Sequence, residues 1–177
     1  MKRARSITLF LLMFVFLIPE ITAAAEPEDP YYTQWVSFMP GSKVTLVGRV
    51  EDKAGVSAFS QTIVLKEIRS DYLVIEISRN EEKKESIAKK KTVSRFLNKT
   101  DKTEFRGQEE IDIAGKKLQC QRYTNTVTDD SGKEMMVFDY WFHPDIPGSA
   151  KIVGRSSYDP SVGTMTATQT AVSWEKK

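Results

Sequence analysis

The chain of 177 residues is 28% charged and 40% hydrophobic, and it contains one cysteine and one histidine. A single cysteine excludes an intrachain disulfide, and a single histidine excludes a metal site built from several imidazoles. The formal net charge of +2 is too small to indicate a nucleic-acid-binding protein.

Residues 1–25 have the organisation of a secretory signal peptide. A basic start precedes an apolar run over residues 7–18, in which Thr8 is the one polar residue, and three alanines at 23–25 provide the small residues of a cleavage site. The apolar run is shorter than the roughly 20 residues of a membrane-spanning helix. We therefore predict cleavage near Ala25/Glu26, a periplasmic or secreted location, and no stable membrane anchor after cleavage. Residues 26–177 are expected to form a single domain.

Removal of this leader leaves 23 basic and 23 acidic residues, so the mature domain is neutral. We accordingly predict no nucleic-acid partner. Glu26 stands where a bacterial lipoprotein would carry its lipidated cysteine, which excludes that type of anchor. Cys120 shares a strand face with Leu118, and this favours a buried, unreactive thiol. A free thiol that pairs with a partner is the alternative.

The first predicted element is a helix from Pro30 to Met39. Asp29 is a suitable N-cap, proline is favourable at the first helical position, and Pro40-Gly41 ends the element. Large apolar residues recur at helical spacing and share one side of it: Tyr32, Trp35, Val36 and Met39. Such a helix is expected to cover the end of a sheet, with direct contact to a ligand as the alternative.

From Ser42 onward, apolar and polar residues alternate with a period of two, which predicts β-strands. Turns rich in Gly, Asp and Pro separate the predicted strands, which are Lys43–Glu51, Val56–Ile68, Tyr72–Ser78, Gly107–Ile113, Lys116–Thr128, Lys133–Phe142, Ala150–Tyr158 and Thr164–Trp174. Short connections of this kind join antiparallel neighbours, so we predict a mainly β fold with a meander of about eight or nine strands. Long strands in so small a domain imply a single curled antiparallel sheet, as a half-barrel or open barrel.

A charged segment extends from Glu81 to Arg106, and its basic residues outnumber its acidic ones. It has too few apolar positions for a central strand, so we predict an edge strand followed by an exposed loop. The lysines would then protect the edge from pairing with other chains. The alternative is a possible contact of Lys83–Arg106 with an anionic surface.

The segment Met135–Phe142 is apolar on both of its strand faces, so both faces must be covered. One face can pack against the core, while the other requires the helix, a second layer or a hydrophobic ligand. The candidate ligand-binding residues are therefore Tyr32, Trp35, Met136, Phe138, Tyr140 and Phe142.

No pattern of catalytic or metal-binding residues is present in the sequence. His143 lies with Asp145 in a proline-rich turn, Asp129-Asp130 lacks the spacing of a calcium loop, and there is no glycine-rich phosphate loop. We therefore predict that the protein is not an enzyme and has no cofactor and no metal.

The end of the chain resembles the closing part of exported bacterial proteins of the LolA/LolB-like type. The resemblance lies in a strand ending at Trp141, the element Asp145–Gly148, a further strand, a turn at Pro160–Gly163 and a last strand. It implies a curled half-barrel, plugged by helices, that binds a lipid or lipoprotein acyl chain. The element Trp35–Ser42 is also similar to one found in small uncharacterised exported proteins. The alternative is a structural or protein-interaction module whose concavity is filled by its own side chains.

Overall fold

The computed structural model describes residues 28–79, 82–90, 100–156 and 164–177, with the backbone alone at Thr100 and Asp101. The predicted signal peptide and its cleavage site lie outside these residues. The division into a leader and a single mature domain therefore stays a prediction.

One helix and nine strands make up the described part of the chain. The helix α1 is Pro30–Val36, and the strands are β1 Lys43–Asp52, β2 Gly55–Ile68, β3 Tyr72–Arg79, β4 Glu82–Lys89, β5 Thr100–Ile113, β6 Lys116–Thr128, β7 Glu134–Phe142, β8 Lys151–Ser156 and β9 Met165–Glu175. All strand pairs are antiparallel, in the order β4-β3-β2-β1-β9-β8-β7-β6-β5. This confirms the prediction of one unclosed, curled antiparallel sheet with a short helix near the N-terminus.

The order of the strands divides the sheet into two halves. Strands β1 to β4 form one meander and β5 to β9 form another, and the first and last strands, β1 and β9, join them. Strands β4 and β5 follow each other in the chain but form the two opposite edges of the sheet. The predicted edge strand in the charged segment is confirmed by β4.

Two predicted boundaries were wrong. The helix ends at Val36 rather than Met39, because the chain turns there and buries Phe38, while Met39 is left 64% exposed. The exposed loop expected up to Arg106 is replaced, from Thr100 onward, by the first half of β5, which pairs with β6. An edge strand has only one neighbour, so its polar side chains can remain in water. Such a strand lacks the alternation of apolar and polar residues that would predict it from the sequence.

The main core lies where α1 covers one end of one face of the sheet, here called the helix face. Register places the core side chains of neighbouring strands opposite each other on this face, as in Val44 opposite Ile63 and Ile63 opposite Ile77. Alternate residues such as Val47 and Arg49 point to the other face and are exposed. The helix contributes Tyr32 and Trp35 to this cluster, and the turn after it contributes Phe38; all three are buried. The strand members of the cluster include Val44, Leu46, Ile63, Leu65, Leu73, Ile75 and Ala171.

The sheet is strongly curled at the end where α1 lies. Residues on the opposite face of β5, β6 and β7 belong to the same core cluster as those on the helix face, namely Ile111, Ile113, Cys120 and Trp141. Strand β5 also contacts β9, although three strands lie between them in the sheet. One cluster can join both faces only if the sheet turns back on itself at this end.

The connection between β7 and β8 is fixed against the helix. The side-chain amide of Gln34 donates hydrogen bonds to the carbonyl oxygens of His143, at 2.7 Å, and Ile146, at 2.8 Å. Ile146 itself is fully buried within the core. The helix and this connection therefore close one end of the helix face as a unit.

Candidate functional site

The part of the helix face that α1 does not cover has a continuous row of aromatic side chains. Phe105, Tyr123, Phe138, Tyr140 and Phe142 come from β5, β6 and β7, and we call them the aromatic surface. The ring centroids of Phe105 and Tyr123 are 5.2 Å apart, those of Tyr123 and Phe142 are 5.7 Å apart, and those of Phe138 and Tyr140 are 6.2 Å apart. The rings of Tyr140 and Phe142 are stacked, with 6.1 Å between their centroids. These separations are typical of interacting aromatic pairs.

Strand register places the aromatic surface on the same side of the sheet as the helix. Tyr140 is opposite Ile152, Ile152 is opposite Gln169, and Gln169 is opposite Gly48. Gly48 shares its face with Leu46, two residues earlier on β1, which belongs to the core under α1. The helix and the aromatic surface therefore occupy two parts of one face.

The aromatic surface is separate from the core under the helix. None of its five residues belongs to that cluster, and α1 contacts β3 and β4, at the other side of the sheet. Phe105 is 56% exposed, three further rings are partly exposed, and Phe142 is buried. Four of the five rings therefore keep accessible apolar area on the helix face.

Two glycines let aromatic rings lie flat on this face. A Cβ atom on Gly154 would lie 2.8 Å from the Phe138 ring, and one on Gly48 would lie 2.7 Å from the Phe59 ring. Real side chains do not approach so closely, so each ring occupies the space that a side chain at the glycine would fill. Phe59 thus extends the apolar part of the helix face toward β2 and β3.

The six predicted site residues fall into two groups. Met136, Phe138, Tyr140 and Phe142 share the helix face of β7, as the alternation indicated. Tyr32 and Trp35 lie in the core instead, at 5% and 0% exposure, and the Tyr32 hydroxyl donates a hydrogen bond to the Arg69 carbonyl at 3.0 Å. Ligand binding by these residues stays a prediction.

Sequence reasoning missed three aromatic residues of this region. Phe105 lay in the segment expected to be a loop, although Thr103 and Phe105 already show the two-residue spacing of a strand. Tyr123 and Phe59 lie in predicted strands, but the sequence does not indicate which strands are neighbours. Only the pairing of Tyr123 with both Phe105 and Tyr140 reveals the shared surface.

An open cleft of about 230 Å³ adjoins the far end of β7, away from the helix. Its walls include Met135, Met136, Val137 and Arg155. Met136 is the last residue of the β7 row on the helix face, whereas Val137 and Arg155 are paired on the opposite face, so the cleft lies at the rim of the sheet next to the aromatic surface. Thioether side chains adapt to irregular apolar shapes.

The opposite face of β6, β7 and β8 carries a structural ionic network. The buried carboxylate of Asp139 accepts a hydrogen bond from the Thr124 hydroxyl at 2.7 Å and pairs with Arg122 at 3.2 Å. The Trp141 indole donates to Glu109 at 3.0 Å, with the Arg122 guanidinium over its ring. These contacts connect β5, β6 and β7, although the buried Nε of Arg122 has no hydrogen-bond partner.

Three observations on the described residues concern metal ligands, helix length and the single thiol. No group of three potential metal ligands occurs in this part of the chain. No helix within the described ranges is long and apolar enough to span a bilayer. Burial raises the pKa of the Cys120 thiol to about 11, which opposes formation of the reactive thiolate, and the thiol is fully buried as expected.

No protein-family model and no curated protein sequence matches the chain. Among solved structures, it is similar to a protein named as exported, with a YmcC-like fold, from Bacteroides fragilis, at 6% identity and a TM-score of 0.45, over 78% of this chain and 99% of that one. The hypothetical lipoprotein YmcC from Escherichia coli matches at 10% identity and a TM-score of 0.37, over 97% and 98% of the two chains.

A further match is an outer membrane lipoprotein-sorting protein domain from Vibrio parahaemolyticus. It has 6% identity and a TM-score of 0.32, over 82% of this chain and 89% of that one. These three structures are thus named as an exported protein, a lipoprotein and a lipoprotein-sorting domain. At TM-scores below 0.5, this likeness carries no conclusion about function.

Proposed function

We propose that this protein is an exported carrier that binds an apolar ligand, such as a lipid or a lipoprotein acyl chain, on the aromatic surface of its helix face. The observation that supports this most is the open row of rings beside a helix that covers only the other part of the same face. Large apolar patches on soluble proteins commonly mark binding sites.

The energetic argument rests on the exposed part of these rings. Fully burying a side chain of phenylalanine size contributes about 1.5–3 kcal/mol. Phe105 is more than half exposed and three other rings are partly exposed, so a ligand that covers them gains on the order of 3 kcal/mol from the protein side alone. The apolar area of the ligand adds to this value.

The location follows from the leader, not from the fold. The basic, apolar and small-residue order of residues 1–25 supports export and cleavage near Glu26. A carrier of apolar molecules is useful in an aqueous compartment because its ligands cannot cross water unaided. Periplasmic or secreted placement therefore fits the proposed ligand class.

The direct test uses the neutral fluorescent probe N-phenylnaphthylamine with the mature protein. We expect the native protein to bind it, and Phe138→Glu to abolish binding, because a carboxylate among the rings stays hydrated and excludes an apolar molecule. Val47→Glu is the matched control, since it adds the same charge at an exposed residue on the opposite face. It should bind the probe like the native protein.

A second variant distinguishes loss of probe binding from loss of folding. Phe105 is on an edge strand and 56% exposed, so Phe105→Glu should leave the fold intact and weaken binding. Equal binding by Phe105→Glu and Val47→Glu would count against the aromatic surface as the site. A folded native protein that binds no apolar probe would favour the structural or protein-interaction module instead.

A further inference from the structure

The helix face also carries a cation positioned on an aromatic ring. We infer that the apolar ligand has an anionic head group and that Arg79 binds it. This inference rests on the proposed function and specifies its ligand as an amphiphile with a carboxylate or phosphate head. Arg79 is on β3, and register places it opposite Gln61 on the helix face.

The Arg79 guanidinium is held by stacking. Its central carbon lies 4.1 Å from the centroid of the Phe59 ring, and that ring in turn lies over Gly48. Stacking on an aromatic face orients the planar guanidinium and removes part of its conformational freedom. Its N–H groups remain in a fixed fork that matches the two oxygens of a carboxylate or phosphate.

No described residue forms an ion pair with Arg79. Among the described residues, the charged groups that register places near it on this face are Glu82, its cross-strand neighbour on β4, and Lys84, which is opposite Ile77. Gln61 and Gln169, which lie between Arg79 and the aromatic surface, hydrogen-bond to each other at 2.7 Å and are uncharged.

The distance between head and tail sites suits a lipid. The Arg79 guanidinium stacks on the Phe59 ring, and that ring lies over Gly48 on β1. Tyr140 is on β7, three strands from β1, in the row of paired residues that begins at Gly48. Three strand spacings amount to about 14 Å in a flat sheet, and the curl shortens this distance. The chain of palmitate covers that span, with its carboxylate at Arg79 and its methyl end among the rings.

The test measures displacement of N-phenylnaphthylamine by three ligands with the same chain: palmitate, hexadecanol and hexadecyl phosphate. We expect the native protein to bind palmitate about tenfold more tightly than hexadecanol, the value for one charge-assisted contact at a partly exposed site. Arg79→Gln should abolish this preference while hexadecanol binds as before. Arg49→Gln removes a cation from the opposite face and should keep the preference.

The outcomes separate the two proposals. Probe binding without any preference for the anionic ligands, or a preference that survives in Arg79→Gln, would overturn the head-group site and leave the apolar site standing. Absence of probe binding by the native protein would instead overturn the proposed function. If the preference exists and depends on Arg79, tighter binding of palmitate indicates a fatty acid, and tighter binding of hexadecyl phosphate indicates a phospholipid-like head.

Discussion

Replacement of Gly148 by alanine should destabilise the protein through Trp35. Gly148 has φ +69°, a conformation that residues with a side chain rarely adopt, and a Cβ atom there would lie 2.7 Å from Trp35 Cζ2. The Trp35 side chain is fully buried, and the adjacent Gln34 is hydrogen-bonded to the connection that contains Gly148. The ring therefore has no free space into which it can move.

The expected magnitude has two parts. The left-handed conformation costs a residue other than glycine about 1–2 kcal/mol. Forcing an extra methyl group into a packed core costs about 1–3 kcal/mol more. Gly148→Ala should thus lower the free energy of unfolding by about 2–5 kcal/mol, a large share of the stability of a domain of this size.

Gly115→Ala is the matched control, because it isolates the conformational part. Gly115 has φ +75°, and a Cβ atom there would meet nothing within 4 Å. Urea unfolding of both variants should show the control losing only about 1–2 kcal/mol. Equal losses in the two variants would refute the argument that Trp35 is locked in the core, and would return it to the candidates for a mobile, ligand-contacting residue.

Three further predictions concern two buried groups on the opposite face. Cys120 should resist thiol reagents in the native protein at pH 8 and react once urea unfolds it, because it is buried and its pKa is raised to about 11; fast native labelling would contradict this. The thiol of the unfolded chain ionises at a lower pH than the buried thiol of the folded protein. The stabilisation from burying the neutral thiol is therefore complete below the usual cysteine pKa and is lost as pH rises toward 11. Cys120→Val should thus make the fall in stability at alkaline pH less steep. Asp139→Ala should lower the free energy of unfolding by about 1–3 kcal/mol, because it leaves the Thr124 hydroxyl without its acceptor and removes one of the two carboxylates that pair with Arg122. Glu104→Ala, at the ion pair with Arg106, should change it little. Similar effects of the two variants would show that the Asp139 network is not structural.

The sequence determined the local elements because their signals are local. Period-two alternation identified the strands after Ser42, and Asp29 with Pro30 marked the start of the helix. The same alternation placed Met136, Phe138, Tyr140 and Phe142 on one strand face, since residues two apart on a strand point to the same side.

Only the tertiary structure decided which strands are neighbours and what covers each face. The pairing of β1 with β9 joins segments more than a hundred residues apart, and alternation contains no information about such partners. The bulge at Arg106 on the edge strand shifts the register by one residue, so only the stretch after it was predicted as a strand and the paired stretch before it resembled a loop in the sequence. Tyr32 and Trp35 could have faced either part of the helix face. Trp35 is buried beside Gly148, and Tyr32 is buried against the β2–β3 connection. Both depend on where the helix packs, which is set by contacts with the β2–β3 and β7–β8 connections rather than by the helix sequence.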